Sequence, residues 1–142
     1  MPNELSGETR AEAAASPFAT LRLPLAPTVV APDGSDVRVL LGTARGSMAH
    51  FELGSGKTSL AVTHRTVEEV WYIVAGRGEM WRKLGSVEEV VTLEPGISLT
   101  IPVGTHFQFR AAPDSSVCAV AITMPPWPGE DEAVLVAGPW AR

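Results

Sequence analysis

His64 and Glu69 are the residues of this sequence whose types and spacing best suit chemistry at a buried site. His64 follows an apolar run, where an imidazole can serve as a metal ligand or a general base. The alternative is a structural histidine bonded to a neighbouring hydroxyl such as that of Thr66. Glu68 and Glu69 open the next predicted strand, and adjacent side chains of a strand point to opposite faces. An inward carboxylate is costly unless it is paired or binds a ligand, which favours a functional role for Glu69.

The elements that must position these residues are short apolar runs separated by turns that contain glycine, proline, aspartate or serine. The turn signals recur at intervals of about 8–12 residues, which is typical of antiparallel sandwiches and barrels. No segment has the 3.6-residue apolar period of a helix. The sequence predicts strands at residues 37–41, 47–53, 59–64, 69–75, 79–84, 87–93, 98–101, 107–110, 117–123 and 133–136.

The residues around His64 resemble the first sequence motif of the cupin superfamily. That motif has a glycine, five residues, His-x-His, three or four residues, a glutamate, six residues and a second glycine. Here five residues separate Gly56 from the run 62–64, and Glu69 and Gly76 follow at the family's distances. The first histidine of the motif is replaced by Val62.

A second stretch resembles the second cupin motif, which has a glycine, five residues, Pro-x-Gly, two residues, a histidine, three residues and an asparagine. Here Gly96, Pro102 and Gly104 occupy the turn positions, while Phe107 stands at the histidine and Ala111 at the asparagine. The two motifs in this order imply an all-β fold, a double-stranded β-helix or jelly-roll barrel of antiparallel strands.

The resemblance also implies where a metal would bind, because the family's histidines and glutamate commonly hold a divalent ion. Only His64 and Glu69 remain at these positions, and three or more protein ligands are usual for a tight transition-metal site. His106 lies one residue from the third ligand position, so it points to the opposite face unless a bulge or a shortened turn shifts it. We therefore expect His64, Glu69 and, with such a shift, His106 as ligands of a weakly bound divalent ion.

The strand period and the resemblance together predict a ligand pocket in the barrel mouth. Residues at i and i+2 of a strand share a face, so Val62, His64 and Thr66 are expected to point inward together. The aromatic residues among the candidates can belong to the core and to a substrate platform at the same time. The predicted pocket consists of Val62, Thr66, Trp71, Phe107 and Phe109.

Three functions remain open from the sequence. The first is a metal-assisted enzyme acting on a small organic or sugar-like substrate, with His64 and Glu69 as catalytic residues. The second is a metal-free binder or sensor of a small molecule. The third is a metal-free isomerase or epimerase in which His64 or Glu69 is the base.

Composition limits the partners and the compartment. The formal net charge is −5 and no cluster of lysine and arginine is present, which argues against nucleic acid. No run reaches the roughly 18 apolar residues that a membrane span needs. The single cysteine, Cys118, lies in an apolar run, and the N-terminal residues lack the apolar core of a signal peptide. These features predict a cytoplasmic protein without a membrane partner.

The chain is predicted to form a flexible tail at residues 1–16 and one barrel domain at residues 17–142. The tail has no apolar stripe to bury, so it should contribute little to stability. The domain has more apolar residues than one small barrel interior can hold, including four tryptophans. That surplus predicts a homodimer.

Overall fold

Two antiparallel β-sheets make up the fold in the computed structural model, which describes residues 16–142. Residues 1–15, nearly all of the predicted tail, lie outside the described residues. The described chain forms eleven strands: β1 Val29–Val30, β2 Asp36–Gly42, β3 Ser47–Leu53, β4 Val62–His64, β5 Glu68–Gly76, β6 Gly78–Leu84, β7 Val87–Leu93, β8 Ser98–Ile101, β9 His106–Ala111, β10 Val117–Met124 and β11 Ala133–Leu135. A 3₁₀ helix, Glu130–Glu132, precedes β11. No helix among residues 16–142 is long and apolar enough to cross a membrane.

The strand order shows how distant segments are brought together. One sheet has the order β1-β2-β3-β10-β5-β8 and the other has the order β11-β4-β9-β6-β7. The predicted all-β, antiparallel architecture is therefore confirmed. The predicted strand at 59–64 is shorter than expected, because the amide of Leu60 bonds to the carbonyl of Asp33 and regular pairing begins only at Val62.

The inward faces of the two sheets meet in one aromatic core. Along β5 the side chains alternate, so that Glu69, Trp71 and Ile73 are buried while Glu68 is exposed, as the strand period predicts. Trp71 stacks on Phe51 with ring centroids 5.2 Å apart. It also makes edge-to-face contacts with two phenylalanines of β9, Phe107 and Phe109.

The last residues of the chain cover part of the outer face of the five-stranded sheet. Gln108 of β9 is buried there, and its amide nitrogen donates to the carbonyls of Ser59 and Trp140, each at 2.9 Å. The Trp140 amide donates back to the Gln108 side-chain oxygen at 3.1 Å. Gly138 allows the close approach, since a Cβ there would lie 2.4 Å from that oxygen.

The outer face of the six-stranded sheet carries exposed apolar side chains, Met48, Val70, Tyr72 and Val74, on the same face as the Arg38–Glu52 ion pair. We propose that it pairs with the same face of a second copy. Strands about 4.8 Å apart and about 20 Å long give a face of roughly 500 Å² per copy. Two such faces would bury on the order of 1,000 Å², the area that stable association needs.

Sedimentation should therefore show a species of twice the 15.0 kDa chain mass at micromolar concentration. Tyr72→Glu should convert it to a monomer, because a charge would be buried between the two paired faces. Val90→Glu, on the outer face of the other sheet, is the matched control and should remain dimeric. A wild-type protein that sediments only as a monomer would contradict the proposal.

Candidate functional site

His64 ends β4, and two aromatic rings pack against its imidazole. Its side chain is only 6% exposed. The edge-to-face neighbours are Phe107, with ring centroids 5.1 Å apart, and Trp127, at 5.0 Å. Trp127 is partly exposed and belongs to the proline-rich segment 124–129, so its ring separates His64 from solvent.

Glu69, near the start of β5, points into the same end of the barrel and is buried. One carboxylate oxygen, Oε1, accepts a hydrogen bond from Trp71 Nε1 at 2.7 Å. The other, Oε2, accepts one from Thr123 Oγ1 at 2.9 Å, because Thr123 is the register partner of Glu69 on β10. Two hydrogen bonds hold the buried carboxylate in one orientation.

The two residues face each other without touching. His64 Nδ1 lies 4.0 Å from Glu69 Oε2, which is too far for a direct hydrogen bond. Among the described residues this buried nitrogen has no hydrogen-bond partner. Leaving such a group unpaired costs about 1–3 kcal/mol. A hydroxyl between the two atoms could bond to both at about 2.8 Å.

The surroundings favour the neutral form of both groups. Burial lowers the pKa of His64 to about 4, against the opposing influence of the Glu132 charge. Burial also raises the pKa of Glu69, although the hydrogen bonds from Trp71 and Thr123 act in the opposite direction. At neutral pH His64 is therefore an uncharged imidazole that can donate or accept one hydrogen bond at each ring nitrogen according to its tautomer.

The residues present do not fit a tightly bound metal ion. Two ligands of a tetrahedral ion with bonds near 2.1 Å stand about 3.4 Å apart, and cis ligands of an octahedral ion about 3.0 Å apart. The 4.0 Å between His64 Nδ1 and Glu69 Oε2 exceeds both separations. The other two family ligand positions hold the buried apolar side chains of Val62 and Phe107. Within residues 16–142, no group of three or more His, Cys, Asp or Glu side chains is arranged to hold a metal.

The structure does not bring His106 to His64 and Glu69. β9 runs in regular register, with His106 opposite Thr63 and Phe107 opposite Val62. Val62 and Phe107 point inward, so the alternation places His106 on the outer face of the sheet, where it is half-buried. The bulge that would have brought His106 inward is absent from the described pairing of β4 with β9.

Of the five predicted pocket residues, four point inward and one does not. Val62, Trp71, Phe107 and Phe109 are buried and pack in the core, so they fill the barrel and do not line an open mouth. Thr66 is exposed, contrary to the expectation that it shares the inward face of His64. The physical reason is that β4 ends at His64, so the alternation of a strand does not extend to Thr66.

Sequence reasoning missed two residues of this site, Trp127 and Glu132. Glu132 is buried and accepts hydrogen bonds from the Thr66 hydroxyl at 2.7 Å and the Val67 amide at 2.8 Å, which fixes the turn after His64. Burial alone would raise the pKa of Glu132, but the hydrogen bonds from Thr66 and Val67 outweigh it and lower that pKa. Three prolines make the segment 124–129 stiff, but its path over His64 is not encoded in the local sequence.

Comparison with known proteins supports the fold and no closer relationship. The sequence matches no protein-family model, and no curated protein is significantly similar to it. The polyketide cyclase RemF from Streptomyces resistomycificus is similar in structure with a TM-score of 0.65 at 18% identity, over 86% of this chain and 87% of RemF. A Klebsiella pneumoniae protein with a double-stranded β-helix domain gives 0.61 at 15% identity, over 87% and 99% of the two chains. The Drosophila melanogaster CENP-C cupin domain gives 0.58 at 14% identity, over 64% and 70%.

The facing sheets and these neighbours define the class of protein as a double-stranded β-helix. More specifically, the chain has the cupin fold. Its turn glycines, His64 and Glu69 match the spacing of the cupin motifs, and the apolar residues Val62 and Phe107 stand where those motifs have histidines.

Proposed function

We propose that the protein binds a small organic molecule between His64 and Glu69 without the help of a metal ion. The observation that carries this proposal is the buried Nδ1 of His64, which has no partner among the described residues and lies 4.0 Å from Glu69 Oε2. A ligand hydroxyl placed between the two would satisfy the nitrogen and use the remaining acceptor capacity of the carboxylate.

The surroundings of the pair favour a ligand that is flat or ring-shaped. His64 is flanked by the rings of Phe107 and Trp127, and the partly exposed Trp127 offers an apolar ring to a bound ring. The narrow, buried position suits one hydroxyl or carbonyl group on an otherwise apolar or sugar-like ring. Because the inward aromatic residues fill the barrel, the ligand enters by displacing Trp127 from His64.

Acid–base chemistry is the second candidate function, and the two pKa shifts favour it. A neutral imidazole beside a carboxyl group of raised pKa can pass a proton between two positions of one ligand. Such a pair suits isomerisation between a hydroxyl and a neighbouring carbonyl. A polyketide cyclase with the same fold supports the view that this barrel can host small-molecule chemistry.

The proposal is tested by ligand-observed NMR with phenols, hydroxy acids and monosaccharides as probes. His64→Gln and Glu69→Gln should each weaken binding of a hit by about tenfold, the value of one lost hydrogen bond to a buried polar group. His106→Gln, on the outer face, is the matched control and should bind like the wild type. Hits that bind His64→Gln unchanged would contradict the site.

Metal content is measured on the same samples. After dialysis against a chelator and incubation with one equivalent of Mn²⁺ or Zn²⁺, the protein should retain far less than one ion per chain. Binding of a probe should not change when the metal is removed. Retention of one ion per chain, lost in His64→Ala, would overturn the metal-free proposal in favour of the metal-assisted enzyme.

A further inference from the structure

A cavity of about 150 Å³ opens between the edges of the two sheets, away from the His64–Glu69 pair. Its walls come from β6, β7, β8 and the turn after β8, and the strands β7 and β8 are the free edges of their sheets. The apolar part of the wall includes Leu84, Val87 and Pro102. Neither His64 nor Glu69 lines this cavity, so a ligand here is independent of the one proposed for that pair.

Arg82 supplies a partly buried cation to this cavity. It stands opposite Phe107 on the inward face of β6, and its side chain is only 16% exposed. One terminal nitrogen, Nη1, donates to the carbonyl of Thr100 at 2.7 Å. The other, Nη2, donates to Glu89 at 3.2 Å, which is long for a charge-assisted hydrogen bond. The buried Nε has no partner among the described residues.

Thr105 supplies a second polar group that has no partner within residues 16–142. The residue is 2% exposed, and its hydroxyl oxygen forms no hydrogen bond with any of these residues. Arg82 and Thr105 come from different parts of the chain, and both line the same cavity. Each unpaired buried group costs about 1–3 kcal/mol, so a bound molecule that reached both groups would recover that cost.

We propose that this cavity binds the carboxylate of a small organic acid. The Nε and Nη2 donors lie on one edge of the guanidinium and match the two oxygens of a carboxylate. The Thr105 hydroxyl donates a further hydrogen bond to the same group, and the apolar wall receives a short hydrocarbon stem. A water molecule occupies about 30 Å³ in the liquid, so the cavity holds an acid of about four to six heavy atoms.

Glu89 acts as an internal substitute for the ligand. Its exposed carboxylate makes the long contact with Nη2 of Arg82. It therefore occupies one of the two donors, Nε and Nη2, that a ligand carboxylate would use. The ligand carboxylate displaces it and gains both donors. The apolar wall favours an acid with a carbon stem over inorganic phosphate, which has no apolar part.

The test is a titration of the full chain with butyrate, acetate and inorganic phosphate, followed by NMR at the Arg82 Nε–H and Thr105 amide signals. Butyrate should bind more tightly than acetate, and phosphate more weakly than both. Thr105→Val, which keeps the shape and removes the hydroxyl, should weaken butyrate binding by about tenfold. Arg82→Gln should abolish it.

Glu89→Gln should tighten butyrate binding several-fold, because it frees the Arg82 donors Nε and Nη2 and removes a negative charge that repels the ligand. A purely structural Arg82 would not give this result. Arg77→Gln is the matched control, since Arg77 pairs with Asp114 on the exposed surface. Butyrate shifts that persist in Arg82→Gln, or affinity that is unchanged in both Glu89→Gln and Thr105→Val, would overturn the proposal. Thr105→Val and Glu89→Gln are near-isosteric, so the test stands even if Arg82→Gln does not fold.

Discussion

Gly76→Ala should leave the protein largely unfolded at room temperature or lower its melting temperature by about 15 °C or more. Gly76 ends β5 with a φ of 81°, a conformation that costs other residues about 1–2 kcal/mol. A Cβ there would lie 1.8 Å from the carbonyl oxygen of Ser116 and 2.9 Å from the Cα of Val117. Both atoms are backbone at the start of β10, so no side chain can rotate away and the strand itself must move.

The combined cost is on the order of 4 kcal/mol, a large part of the roughly 5–15 kcal/mol by which domains are stable. Gly85→Ala is the matched control. Gly85 also has a positive φ, 62°, but nothing lies within 4 Å of its added Cβ. It should cost only about 1–2 kcal/mol. Equal melting temperatures for the two variants, measured by circular dichroism, would show that β10 does not approach Gly76 this closely.

Acidification from pH 6.5 to 4 should destabilise the protein by about 3 kcal/mol through His64 alone. The pKa of His64 is lowered from 6.5 to about 4 in the folded state. Between these values the unfolded chain binds a proton that the folded chain does not, so the free energy of unfolding falls as the pH falls. Below about pH 4 His64 is protonated in both states, so the destabilisation does not increase further. Urea unfolding at several pH values measures the slope.

Other groups modify this slope, and variants separate them. The raised pKa of Glu69 acts in the opposite direction, because the folded state takes up that proton first on acidification. The lowered pKa of Glu132 removes stability mainly below pH 4.5. His64→Gln should remove most of the slope between pH 6.5 and 4. His50→Gln is the control, since burial lowers the His50 pKa as well but that residue lies on β3, away from the site. A slope unchanged in His64→Gln would contradict the burial of a neutral imidazole.

Local periodicity made part of the site predictable. On β5 the two-residue repeat of buried and exposed side chains identifies Glu69 and Trp71 as inward neighbours, because each position depends only on the adjacent ones. The turn glycines likewise predict where strands end. The same rule gave the wrong face for Thr66, since the end of β4 is fixed by Glu132, which lies 66 residues further along the chain.

The remaining features of the site depend on contacts that no local pattern encodes. Whether inward aromatic residues leave a pocket or fill it depends on the distance between the sheets, and here Phe51 from β3 stacks on Trp71 and closes the space. The position of Trp127 over His64 depends on the path of a whole segment. The partial burial of Arg82 could be recognised only once the edge of β8 was known to lie beside it.

The place of β10 at the centre of the six-stranded sheet has a consequence for the order in which the chain folds. β10 pairs with β3 on one side and β5 on the other, and both partners precede it by long stretches of chain. By contrast, β6 and β7 form a hairpin across the two residues Gly85 and Ser86. Closing long loops costs entropy before their contacts form, so local hairpins should form early and the insertion of β10 late. Refolding should therefore take milliseconds to seconds, and substitutions along β10 should change the unfolding rate more than the folding rate.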